Sequence, residues 1–194
     1  MEYIATELQG VFVIQPKVFN DERGNFLLKE LYYNNFYKEF LSKKEEFEKH
    51  VGKVDFVQDN ESKSSFGVLR GLHYQKGEAS QAKLVRVIKG KVLDVAVDLR
   101  KSSPTFGKYV AVELSEENKR QLFIPRGFAH GFLVLSPEAV FTYKVDNVYC
   151  PQSETSIRWN DETLGIEWPI EYDKIVTSSK DLNGKSLDEA EVFE

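Results

Sequence analysis

LVRVI (residues 84–88) and VLDVAVDL (92–99), joined by Lys89-Gly90-Lys91, carry the strongest structural signal in the chain. In the second run Val92, Asp94, Ala96 and Asp98 share one face, and Leu93, Val95, Val97 and Leu99 share the other, the period of two expected of a strand. Lys-Gly between two such runs predicts a hairpin turn. Working outward, similar short runs occur at 10–14, 54–58, 109–114, 121–124, 131–135 and 140–145, with turn residues between them. Short strands repeated at that rhythm predict an all-β sandwich or barrel rather than a parallel sheet wrapped in helices. One stretch differs: in residues 34–50, Phe36, Phe40 and Phe47 recur at helical spacing, which predicts a surface helix capped by Asn34 or Asn35, its lysines and glutamates solvated. The tail from Leu182 is expected to run over the surface.

The chain has 194 residues, room for one full-sized core, and neither a low-complexity linker nor a fixed-period repeat divides it, so residues 1–194 are read as a single domain. Apolar residues make up 41% and charged residues 29%, which excludes disordered and collagen-like chains. With 26 Lys and Arg against 31 Asp and Glu, the net charge of −5 offers no bulk attraction for phosphate backbones, and nucleic acid is not expected as a partner. The single cysteine, Cys150, can form neither an intrachain disulfide nor a thiolate cluster, consistent with a reducing compartment. The first residues, MEYIATELQGVFVIQP, lack a basic start followed by an apolar run, and no stretch approaches the roughly 18 apolar residues of a membrane span. The expectation is a cytoplasmic protein with no membrane partner.

Three histidines are available for chemistry. His50 lies in the charged helical stretch and is read as a surface group. His73 stands in GVLRGLHYQ and His130 in FIPRGFAHGF, both strand-like stretches, and either alone is compatible with a structural role. The polar company is what draws attention: Arg70, His73 and Gln75 fall within six residues, and Lys83 and Arg86 follow on the next apolar run. Metal ligation is the first explanation to test. An H-x-H pair would put two ligands on one strand face, but the residue two after His73 is Gln75, a poor ligand for zinc or iron, so no metal site is expected. Proton transfer is the second explanation, with histidine as a base near neutrality and the Tyr143 hydroxyl as a second proton carrier. Spacing leaves open which of these groups meet.

Taken together, DERGNF (21–26), QDNESKSSFGVLRGLHYQ (58–75), QAKLVRVIKGKVLDVAVDLRKSSPTFGKY (81–109), QLFIPRGFAHGFLVLS (121–136), FTYKVDNVYCPQSETSIRWND (141–161) and SSKD (178–181) closely resemble the dTDP-4-dehydrorhamnose 3,5-epimerases, which are cupin-type antiparallel β-barrels, or jelly rolls. The resemblance implies that His73 is the general base and that Asp181 orients it and balances its charge. It implies that Tyr143 delivers a proton to the opposite face of the sugar, and that Lys83 stabilises an enolate at the sugar carbonyl. His130 matches a further pocket histidine. Arg23 and Arg70 match arginines that hold the diphosphate, and Gln58, Asn60, Glu154 and Lys180 match other nucleotide-sugar contacts. The implied reaction needs no cofactor and serves dTDP-rhamnose and polysaccharide biosynthesis. The implied partners are a dTDP-sugar substrate and a second copy of the chain, in a homodimer that exchanges N-terminal strands.

The chain departs from the family pattern where RGxFxE is usual: RGNFLLKE puts Leu28 in place of the acid, with Glu30 two residues later. Residues 32–53 also match poorly. Three rival readings remain: an epimerase or ketoisomerase acting on a single carbon of a related dTDP-keto sugar, a metal-dependent cupin oxygenase, and a non-catalytic sugar-nucleotide binder.

Overall fold

The computed structural model describes residues 2–16, 18–21, 24–27 and 45–194. Arg23, Leu28 and the expected helix start near Asn34 lie outside these residues. Thirteen strands are described: β1 (Glu2–Ala5), β2 (Phe12–Gln15), β3 (Val18–Asp21), β4 (Gly24–Leu27), β5 (Gln58–Ser65), β6 (Leu69–Gln75), β7 (Lys83–Lys89), β8 (Lys91–Asp98), β9 (Tyr109–Ser115), β10 (Gln121–Ile124), β11 (Phe128–Val134), β12 (Glu138–Val145) and β13 (Glu154–Ser156). They form a six-stranded sheet in the order β1-β2-β10-β7-β12-β5 and a five-stranded sheet in the order β13-β6-β11-β8-β9, while β3 and β4 pair only with each other. The pairings are antiparallel, so the expected all-β cupin-type jelly roll is what the chain forms.

The Lys89-Gly90-Lys91 turn is not a hairpin. β7 belongs to the six-stranded sheet and β8 to the five-stranded one, so the chain crosses between layers at Gly90. Gly90 holds φ at +78° at this corner, and a β-carbon there would lie 2.1 Å from the Glu138 carbonyl oxygen. The glycine signal was genuine, but it marks a corner where the backbone passes close to β12. Alternation along β8 likewise separates two buried faces rather than a buried and a wet one. Val92 and Ala96 join Val85, Leu122, Phe132 and Phe141 in a core between the sheets, where Phe132 and Phe141 stack with centroids 4.1 Å apart. Val95, Val97 and Leu99 enter a second core on the outer face, with Trp159, Trp168 and Leu187.

That second core corrects the expectation for the tail. Leu187 is buried, Phe193 packs against the cluster, and Arg100 bridges Phe193 while Ile157 bridges Lys185. Residues 182–194 therefore cover an apolar sheet face that would otherwise meet water. On the opposite outer face, the helical residues 45–51 bury Phe47 against Phe123, ring centroids 5.7 Å apart, and exposed His50 stacks on Tyr3 at 4.4 Å.

Candidate active site

β6 and β11 pair with His73 directly opposite His130, and the register slips just beyond, between His130 and Phe132. The glycines flanking these histidines explain how the strands come so close. A β-carbon on Gly71, whose φ is +144°, would lie 2.5 Å from the Gly131 Cα, and one on Gly131 would lie 2.7 Å from the Arg70 carbonyl oxygen. RG-L-H and H-G-F are thus two halves of one backbone contact.

Near this contact the barrel holds a cavity of about 290 Å³ lined by Gln58, Asn60, His73, Tyr74, Gln75, Gln81, Lys83, Tyr143, Tyr149 and Glu154. Strand register explains the grouping: Tyr143 on β12 lies between Asn60 on β5 and Val85 on β7, so Gln58, Asn60, Lys83 and Tyr143 all project to the same side.

His73 reaches its partner across 108 residues: Nε2 lies 2.5 Å from Asp181 Oδ1. Asp181 sits in the short helix Ser179–Leu182, whose N-cap Ser178 donates from its hydroxyl to Asp181 Oδ2 at 2.8 Å and accepts the Asp181 amide at 3.2 Å. Burial raises the Asp181 carboxyl, but the bonds from His73 and Ser178 outweigh it and hold the group below its ordinary value. A buried carboxylate hydrogen-bonded to the imidazole fixes the orientation of the ring.

Burial pulls Lys83 down to about 8, against the opposing charges of Glu154 and Asp94. Its Nζ lies 5.9 Å from the Tyr143 ring centroid. Burial also pushes the Tyr143 hydroxyl above its ordinary value, helped by Glu154 and opposed by Arg70, so the phenol holds its proton at neutral pH. The cavity thus joins an imidazole–carboxylate pair, a protonated phenol and an ammonium on its walls.

The other expected residues divide. Gln58 donates to Asn60 at 2.8 Å, and both face the cavity. Glu154 accepts the Tyr149 hydroxyl at 2.5 Å and pairs with Lys180, which brings that lysine to the rim. Arg70 is exposed, donates from Nε to Ser64 at 3.1 Å, and is not among the cavity-lining residues. His130 also stands outside the lining; it is buried, with Nε2 3.0 Å from both carboxylate oxygens of Asp94. Among the described residues, no group of three or more His, Cys, Asp or Glu gathers as a metal site would require.

Sequence reasoning missed three contributors. Ser178 had a readable signal, since S-x-x-D before a turn is an N-cap pattern. Asp94 was visible as a charge inside an apolar strand, where burial demands a partner. Tyr149 had none, because its place depends on a loop with no periodicity.

The family model described as dTDP-4-dehydrorhamnose 3,5-epimerase matches residues 5–189. A Shigella flexneri dTDP-4-dehydrorhamnose 3,5-epimerase is 53% identical over 194 residues, covering 100% of this chain and 99% of its own. Among solved structures, the dTDP-4-dehydrorhamnose 3,5-epimerase of Elizabethkingia anophelis superposes with a TM-score of 0.86 at 50% identity, covering 97% of each chain. The dTDP-6-deoxy-D-glucose-3,5-epimerase of Legionella pneumophila, in complex with dTDP-4-keto-L-rhamnose, superposes with a TM-score of 0.85 at 46% identity, covering 98% of this chain and 94% of its own. With the family model spanning nearly the whole length and relatives this similar, the chain belongs to the dTDP-4-dehydrorhamnose 3,5-epimerase family, an isomerase family built on the cupin-type barrel.

Proposed function

We propose that this protein converts dTDP-4-dehydro-6-deoxy-D-glucose to dTDP-4-dehydro-L-rhamnose, with residues 1–194 acting as one catalytic domain. The observation that carries the reading is that His73, Tyr143 and Lys83 border one cavity. A ketone at carbon 4 acidifies the hydrogens on carbons 3 and 5, so one base can act at both. His73 removes the proton, and Asp181 stabilises the imidazolium that results. Lys83 stabilises the enolate oxygen, and Tyr143 returns a proton to the opposite face. A single group serving one face would restore the starting configuration. Base catalysis contributes roughly 10²- to 10⁴-fold and a directed charge on the oxyanion roughly 10²- to 10³-fold, and the two multiply. All bond changes are proton transfers, so the scheme calls on neither a metal nor a cofactor. Arg23, Arg70, Gln58, Asn60, Glu154 and Lys180 hold the nucleotide sugar, and His130, paired with Asp94, supports the pocket from behind.

The working form in this reading is a cytoplasmic homodimer. Support comes from the β3–β4 hairpin, which pairs with no other described strand of its own chain, while β5 is an edge strand of the six-stranded sheet. A lone two-stranded hairpin is marginal by itself. Exchange of this hairpin between subunits would give it the strand partner that it lacks within its own chain. Sedimentation at micromolar concentration is expected to give twice the chain mass.

Incubation with the 4-keto sugar nucleotide in deuterated water, followed by NMR of the ring, tests the chemistry. Deuterium at both carbons with inverted configuration is expected. Label at one carbon would make the protein a single-carbon epimerase, and no label would refute the assignment. Tyr143→Phe is expected to keep exchange and lose inversion.

A further inference from the structure

Two same-face positions of β6, His73 and Gln75, each recruit a distant part of the chain to the cavity. His73 holds Asp181. Gln75 is 4% exposed, and both ends of its amide are engaged. Its Oε1 accepts the Cys150 amide at 2.6 Å, while Nε2 donates to the Ala79 carbonyl at 2.8 Å and, more weakly, to the Val148 carbonyl at 3.4 Å. These bonds bracket Tyr149 on either side. The Tyr149 amide itself donates to Gln58 Oε1 at 3.3 Å, and its hydroxyl donates to Glu154, the residue in register with Gln75 across β13.

Residues 146–150 follow β12 without strand pairing of their own; the Asp146 amide donates to the Ala82 carbonyl, and the amides of Val148, Tyr149 and Cys150 donate to the side chains of Asn147, Gln58 and Gln75. Tyr149 is 51% exposed and lines the cavity wall. A ring so placed on an unpaired segment is useful to a ligand only if the segment is held before the ligand arrives.

We infer that Gln75 is a positioning residue that holds residues 148–150 so that Tyr149 stands as a preformed wall of the substrate cavity. Glutamine suits the task because one side chain both accepts the Cys150 amide and donates to two carbonyls. Glutamate would keep the acceptor but turn an oxygen on those carbonyls, and methionine would fill the volume without bonding. Since the wall binds ground state and transition state alike, its loss should appear in KM and leave kcat in place.

The inference rests on the proposed epimerase reading, and the test keeps the two apart. The parent, Gln75→Met, Gln75→Glu, Tyr149→Ala and the double variant Gln75→Met/Tyr149→Ala are assayed as full chains with the 4-keto sugar nucleotide. Backbone amide exchange over 148–150 is measured in the absence of substrate. Gln75→Met is expected to raise KM about tenfold with kcat within about twofold, to speed exchange at Tyr149 and Cys150, and to add nothing to the effect of Tyr149→Ala. Gln75→Glu should give a smaller rise in KM, and it carries the test if the methionine variant does not fold. Unchanged KM, unchanged exchange, effects that multiply with Tyr149→Ala, or a loss confined to kcat would each overturn the inference. A parent that does not turn over would instead refute the epimerase reading, with the exchange result still deciding the role of Gln75.

Discussion

Asp181 lies 2.5 Å from Nε2 of His73 although 108 residues separate them, and the carboxylate is locked from behind by its own helix cap, Ser178. The pair therefore has one geometry in the folded chain. Asp181→Asn should leave His73 in place but remove the charge that balances the imidazolium formed when the proposed base takes a proton, with a loss of roughly 10²-fold or more in kcat. Its effect on stability has a definite sign. The folded carboxyl titrates below its ordinary value, so its contribution is complete above the ordinary carboxylate range and disappears as pH falls through the depressed value. Denaturant melts of the parent and Asp181→Asn should converge on acidification.

In the proposed mechanism, Lys83 sets the alkaline limit of activity. With its pKa pulled to about 8, the ammonium is charged below that pH and neutral above it. kcat/KM is expected to fall as pH rises through this value. Lys83→Arg, whose guanidinium stays charged, should push the limb alkaline, and Lys83→Met should flatten it while lowering the rate roughly 10²- to 10³-fold. A pH–rate series on the three proteins checks this.

The contact between Gly71 and Gly131 should tolerate no side chain. Gly71→Ala would set a β-carbon 2.5 Å from the Gly131 backbone at a φ of +144°. Both strands would have to part, displacing His73 two residues on. A loss of about 3 kcal/mol or more in denaturant unfolding is expected, together with lost turnover.

Asp98 provides a measure of acid stability away from the cavity. Burial raises its pKa, but bonds from Arg100, Ser103 and the other donors of its turn prevail and bring it to about 2, against an ordinary 3.8. A depression of that size contributes about 2 kcal/mol at neutral pH. The contribution is lost as pH drops through the depressed value, so Asp98→Asn should destabilise at pH 7 and differ little from the parent at the acid end. Thermal melts across pH would show the convergence.

Much of this molecule was legible in its sequence because the information was local. Alternating Val, Leu and Ile runs predict strands, since side chains on a pleated backbone must alternate. Glycines beside His73 and His130 mark close backbone approach. Motifs such as RGLHYQ and PRGFAHGF named the polar residues found in and behind the cavity. Which strands pair was not local information. Lys89-Gly90-Lys91 reads equally well as a hairpin or a corner, and only the closing of two sheets over the Phe132–Phe141 core selects the corner. The Asn-Gly pair and the acids of the tail point to a surface path, yet Leu187 and Phe193 cover a sheet face whose need for cover exists only after the barrel forms. The strand-rich class and the chemical kinds of group available follow from these local patterns. The Asp181–His73 contact is implied by the resemblance but not by spacing, while the Asp94–His130 contact and the Tyr149 wall emerge only in the fold, because each joins segments whose separation along the chain carries no periodic signal and becomes short only when strand register is set.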